Sequence, residues 1–129
     1  MEFKENKAIY LQIADRICDE ILTEKYRDEE RIPSVREFSA EVEVNVNTVM
    51  RAYDYLQQQD VIFTKRGLGY YVAHGARTVI ETIRRKEFFD VALSDLVRSM
   101  DTLGISIDEV VEKLHEMKKN IINKIKVEV

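Results

Sequence analysis

The sequence has one cysteine, Cys18, in 129 residues, which excludes an intrachain disulfide. A lone thiol fits a reducing, cytoplasmic setting, and Cys18 falls on the apolar side of a predicted helix, where it reads as core. Long apolar runs are missing as well. None approaches the roughly 20 residues needed to span a bilayer, and no signal peptide is expected. Catalytic groupings are equally scarce. His74 and His115 stand without ligand-spaced cysteines or acidic partners, so no metal centre is expected. No serine sits in a nucleophile elbow, and Cys18 has no local histidine to activate it. The carboxylates lie beside lysines and arginines on solvated helix faces, as at Glu112, Lys113 and Glu116. These absences lead to the expectation of a chain that is not an enzyme and carries no cofactor or metal.

What is present centres on residues 35–54. Pro33, the only proline, keeps the entering chain extended, and Ser34 with Glu37 three residues on forms a capping box. Val35, Phe38 and Val42 then share one side at helical spacing. Asn45 is an N-cap for a second helix. On a wheel of about 100° per residue, Val46, Val49, Met50, Tyr53 and Leu56 fall on one face. Asn47, Thr48, Arg51, Tyr55 and Gln58 fall on the opposite one. That polar face suits contacts to base edges and phosphates, because Arg reads guanine bidentately and Asn and Thr reach bases or backbone oxygens. An ordinary amphipathic helix would show the same wheel. The spacing of Phe38, Ser39, Val42, Val44, Val49 and Ala52 fits a helix-turn-helix, with Glu43 standing where such a turn usually has Gly at positive φ.

Around this pair the pattern changes twice. Residues 1–7 are polar and read as a mobile arm. Residues 8–25 carry Tyr10, Ile13, Ala14, Ile17, Cys18, Ile21 and Leu22 at helical spacing, and residues 26–31 form a charged loop. Residues 61–65 and 70–74 are β-rich, and the link Arg66-Gly-Leu-Gly69 has tight-turn chemistry. A strand pair after a helix-turn-helix is a winged helix. From residue 76 a long amphipathic helix runs to Gly104, a C-terminal stop. Ser106 and Glu109 then cap a second one. The expected fold is mainly α with a small β-hairpin, a winged helix-turn-helix at 1–75 (motif 35–54, wing 61–74) followed by an αα-hairpin at 76–129. Residues 124–129 are expected to fray. Two helices cannot bury both apolar stripes between themselves, so a partner surface is implied, with Phe88, Phe89, Leu93, Leu96, Met100, Val110 and Leu114 as its residues.

Three motifs in order carry a resemblance: Arg31-Ile-Pro-Ser-Val-Arg-Glu-Phe38, Val44-Asn-Val-Asn-Thr-Val-Met-Arg-Ala-Tyr53 and Lys65-Arg-Gly-Leu-Gly-Tyr-Tyr-Val72. The sequence resembles the GntR family of bacterial transcription regulators, and its short C-terminal segment resembles the YtrA-type subfamily. The resemblance implies a bacterial, cytoplasmic repressor that binds a palindromic double-stranded DNA operator as a homodimer. It places Arg36, Asn45, Asn47, Thr48, Arg51, Lys65, Arg66, Gly67 and Gly69 at the DNA. Family members commonly have a basic or polar residue where this chain has Val46 or Met50.

The net charge of −4, from 20 Lys and Arg against 24 Asp and Glu, runs against a DNA binder, which is usually basic. Charges beyond a Debye length of about 8–10 Å are screened, however. Many of the acids belong to the first helix and its exit. Weak nonspecific binding follows, with specific binding intact. The alternative is a winged-helix protein-interaction module without DNA affinity, which a salt-dependent shift with operator DNA would separate. An αα-hairpin leaves little room for a cavity of about 300 Å³, so no small-molecule effector site is expected within one subunit.

Overall fold

The computed structural model describes residues 1–4 and 6–128, with side chains as far as 126. Glu5 of the expected arm and Val129 of the tail lie outside the described residues. The chain forms two compact units, Met1–Arg85 and Lys86–Val129.

The first unit begins with helix α1, Ile9–Leu22, whose Ile13, Ala14, Ile17, Cys18 and Ile21 are buried. Ahead of it, Lys4 and Lys7 are held against α1, where the sequence suggested a mobile arm. Gln12 accepts from the Lys4 amide at 2.7 Å and donates to the Lys4 and Lys7 carbonyls, both at 2.8 Å. Lys7 pairs with Asp15 at 2.6 Å. One glutamine on the outer face of α1 thus satisfies three main-chain groups, a contact that periodicity does not reveal.

Helix α2, Val35–Val42, starts with both halves of the capping box. The Glu37 amide donates to Ser34 Oγ at 3.1 Å, and the Ser34 amide donates to Glu37 Oε1 at 3.2 Å. Those hydrogen bonds from Ser34 hold the Glu37 carboxyl below its ordinary range. The turn after α2 passes through Glu43 at φ 56° and ψ 47°, the left-handed conformation. Ser39, buried inside the turn, donates its hydroxyl to the Val44 carbonyl and accepts the Val44 amide on its own carbonyl. Helix α3, Val46–Gln58, follows, with Val49, Ala52, Tyr53 and Leu56 buried.

The wing consists of β1, Ile62–Lys65, and β2, Gly69–Val72, antiparallel with Ile62 opposite Val72 and Lys65 opposite Gly69. The loop that the sequence marks only as charged adds a further edge to it. Glu29 donates to the Val72 carbonyl at 2.8 Å, Val72 to Glu30 at 2.9 Å and Ile32 to Tyr70 at 3.0 Å. Phe38, Val49, Tyr53, Leu56 and Val72 are all at most 1% exposed and join the elements in one core. Tyr53 links three of them. Its hydroxyl donates to the Pro33 carbonyl at 2.6 Å, and its ring meets Phe38 and Tyr70 at 6.2 and 4.9 Å. Burial pushes its phenol well above the ordinary range.

Helix α4, Ala76–Glu87, belongs largely to this unit. The unit ends at Arg85, ten residues beyond the boundary expected at residue 75, because Ala76 and Ile80 are buried in the same core. Arg84 pairs with Asp19 at 2.7 Å and donates to the Asp15 carbonyl at 3.1 Å, and Arg77 donates to the Leu22 carbonyl. His74 is not isolated either: its Nδ1 lies 3.5 Å from Asp28, which also accepts the Gly75 amide at 3.0 Å. Asp28 is distant in sequence, which is why the pair escapes a local reading. Among the described residues no group of His, Cys, Asp and Glu could hold a metal ion.

The second unit contains a five-residue π-helical stretch, Phe88–Ala92, and helix α5, Leu93–Leu103. Gly104 ends α5 at φ 66°. The Ser106 hydroxyl accepts the Glu109 amide at 3.1 Å, and α6 runs over Ile107–Glu128, so residues 124–128 of the stretch expected to fray are helical. No side chain of α5 is buried, and none described in α6 is. Phe88, Phe89, Leu93, Leu96 and Leu114 are exposed, while Met100 and Val110 are half-buried. No described helix is long and apolar enough to cross a membrane.

Candidate nucleic-acid interface

The candidate interface is built on α3. Its cap, Asn45, accepts the Asn47 amide at 2.7 Å, which occupies the Asn45 side-chain oxygen and leaves its NH2 to donate. Opposite the core arc of Val49, Ala52, Tyr53 and Leu56 lie Asn47 and Arg51, one turn apart and exposed. Thr48 is half-buried on the flank facing α1. The Arg51 guanidinium rests over the Tyr10 ring at 4.1 Å, and that ring meets Tyr55 edge-on at 6.3 Å. Ala8, Ile9, Tyr10, Asn47, Thr48 and Arg51 line an open groove of about 370 Å³. Tyr10 is therefore a functional candidate that periodicity assigned only to the packing of α1.

Two assignments on the wheel are corrected. Val46 and Met50, placed with the buried face, are 42% and 40% exposed. Tyr55, placed on the polar face, is half-buried against Tyr10. The cause is asymmetric cover. Helix α1 lies along the Thr48 and Tyr55 flank, where Tyr10 meets Tyr55 and lines a groove with Thr48, whereas on the Val46 and Met50 flank the Tyr70 hydroxyl of β2 lies 3.8 Å from the Met50 sulfur. A wheel shows the apolar arc but not which shoulder a neighbour covers.

Arg36 is exposed in the first turn of α2. At the wing tip Lys65 and Arg66 are exposed, with Lys65 4.4 Å above the Tyr71 ring and 5.8 Å from Phe63. Those rings stack across the strands at 5.8 Å, so the ammonium is held on an aromatic bed while its other side meets solvent. Gly67 and Gly69 sit at φ 76° and 107°, and a Cβ on Gly69 would lie 3.2 Å from Arg31 Nε. Their part is thus to shape the turn, and neither has a side chain to offer.

A helix-turn-helix with an exposed polar α3, followed by a wing with a cationic tip, defines the winged-helix class of transcription regulators. Comparison narrows this. The family described as bacterial regulatory proteins, gntR family, matches residues 9–72. The HTH-type transcriptional regulator YhcF of Bacillus subtilis (strain 168) is 32% identical over 111 residues, which span 86% of this chain and 90% of that protein. The HTH-type transcriptional repressor YtrA of the same organism is 31% identical over 113 residues, spanning 88% and 83%. A GntR-family regulator from Bacteroides thetaiotaomicron has a crystal structure that superposes with a TM-score of 0.75 at 50% identity, over 88% of this chain and 98% of that one. The chain belongs to the GntR family of transcription regulators.

Proposed function

We propose that this regulator is a cytoplasmic bacterial repressor that binds a palindromic operator as a homodimer. The observation that carries the DNA contact is the outward row of Asn47 and Arg51 on α3, set in a fold whose cap and core hold that helix rigid. In this reading α3 enters the major groove with Asn45, Asn47, Thr48 and Arg51 at bases and phosphates. Arg36 reaches the backbone or a base, Lys65 and Arg66 meet phosphates or the minor groove, and the amides around Gly67 and Gly69 lie close to the flank. The repressor sense is supported by the likeness to YtrA. Neither reading calls on catalysis, a cofactor or an effector cavity within one subunit.

Dimerisation is supported by the second unit. Fourteen large apolar side chains from Phe88 to Ile125 are at least 37% exposed there, more than a soluble surface ordinarily leaves in one region. A second copy would cover Phe88, Phe89, Leu93, Leu96, Met100, Val110 and Leu114 in an isologous contact. Sequencing DNA selected from a random pool by the full chain tests both parts. A palindrome with half-sites about 10 base pairs apart is expected, with mass by light scattering equal to two chains. Failure to retain any DNA at low salt would leave the protein-interaction module as the better reading.

A further inference from the structure

We propose that Val46 and Met50 read thymine, each laying its apolar end against a 5-methyl group in the major groove. The proposal rests on the DNA-binding reading of α3 and adds to it the bases that this helix selects.

Over its first two turns the exposed surface of α3 has two parallel rows. Asn47 and Arg51 make the polar row, and Val46 and Met50, also four residues apart, make an apolar one beside it. At 42% and 40% exposure neither apolar side chain belongs to the core. Single exposed apolar residues are commonplace on protein surfaces. Here, though, two of them align on the first two turns of the helix that carries the base-reading side chains. Met50 is also steered, because the Tyr70 hydroxyl of β2 lies 3.8 Å from its sulfur.

The chemistry of the groove then names the ligand. Every base edge in the major groove offers hydrogen-bond donors or acceptors, and only thymine adds an apolar group. A valine or methionine opposite guanine, adenine or cytosine strips water from a polar edge and gives no bond in return. Opposite thymine it buries a methyl group. Four residues of helix rise about 6 Å, against about 3.4 Å per base step, so the two contacts fall one or two base pairs apart. The polar row reads the bases beside them.

Replacing thymine by uracil removes that methyl and nothing else. The full-length chain is first used to select a high-affinity duplex, and each thymine of a half-site is then exchanged singly for uracil. One or two positions per half-site should weaken binding roughly fourfold each, the worth of one buried methyl. Val46→Ala or Met50→Ala should abolish the penalty at its own position while leaving the other, and 5-methylcytosine in a C·G pair should recover part of the affinity there. Tight binding to the selected duplex with no uracil penalty anywhere overturns thymine reading and leaves the role of α3 standing. A uracil penalty that persists in both alanine variants also overturns it, since other side chains then touch the methyl groups. If the chain selects no duplex, the DNA-binding reading falls and this inference falls with it.

Discussion

Glu43 holds the tightest point of the helix-turn-helix in a conformation that suits glycine. At φ 56° and ψ 47°, a residue with a Cβ pays roughly 1–2 kcal/mol in the left-handed region. Glycine removes that strain but has more freedom to lose on folding, which returns about 0.4–1 kcal/mol. The main-chain bonds of the turn, from the Glu43 and Val44 amides to the Ser39 carbonyl, do not involve the side chain and should survive. Glu43→Gly should therefore stabilise the protein by about 0.5–1 kcal/mol. At a urea slope near 2 kcal/mol/M this moves the midpoint up by roughly 0.3–0.5 M. Glu43→Asn should follow in the same direction, since asparagine enters this region more readily than other side chains. Glu43→Gln keeps the Cβ and drops the charge, and should leave the midpoint unchanged. A lower midpoint for Glu43→Gly, or an equal rise for Glu43→Gln, would refute the strain argument and assign the effect to charge.

At the DNA face, Arg51→Ala should weaken operator binding by about 1–3 kcal/mol and relax preference at one or two base pairs. Lys65→Ala should weaken all sequences alike and flatten the dependence on salt, and titration of both variants against matched and mismatched duplexes separates them. Tyr10→Ala should reproduce part of the Arg51→Ala defect by releasing the guanidinium, with Tyr10→Phe restoring it; identical binding by all three proteins would show the stacking to be idle. Ser34→Ala should cost about 0.5–2 kcal/mol of stability with base preference intact. The Glu37 half of that cap depends on pH: with its carboxyl held below the ordinary range, its contribution is present above the unfolded pKa and fades as pH falls through the folded one. The stability gap between the natural chain and Glu37→Ala should close in acid, as melting curves would show. A chain ending at Arg85 should fold, run as a monomer in light scattering and lose most operator affinity, because two linked heads act through effective concentration.

The helices, the wing and both turn signals were legible because each is written locally. Ser34 and Glu37 are three residues apart, Asn45 immediately precedes α3, and the two wing glycines share one link. Contacts made across sequence distance were not. Asp28 with His74, Arg84 with Asp19, and the strand-like bonds of Glu29, Glu30 and Ile32 join residues 38 to 65 positions apart. Neither partner in such a pair carries a mark of the other. The unit boundary moved to Arg85 for the same reason: Ala76 and Ile80 complete a core laid down by α1, yet they also open the periodic pattern that continues to Gly104.

For the site, the residue types were legible but not the rotation of the helix that bears them. An apolar arc wider than the core needs leaves its edge residues undecided, and neighbours then choose. Along α3, α1 covers one shoulder and draws Tyr55 inward onto Tyr10. The other shoulder stays open, so Val46 and Met50 face outward. The same side chains would have completed the core had α1 crossed on their flank. Composition therefore narrowed the candidate face to one helix, while the position of α1 decided that the face is half polar and half apolar. Arg51 gains its aromatic support from that packing, and the apolar row gains its exposure from it.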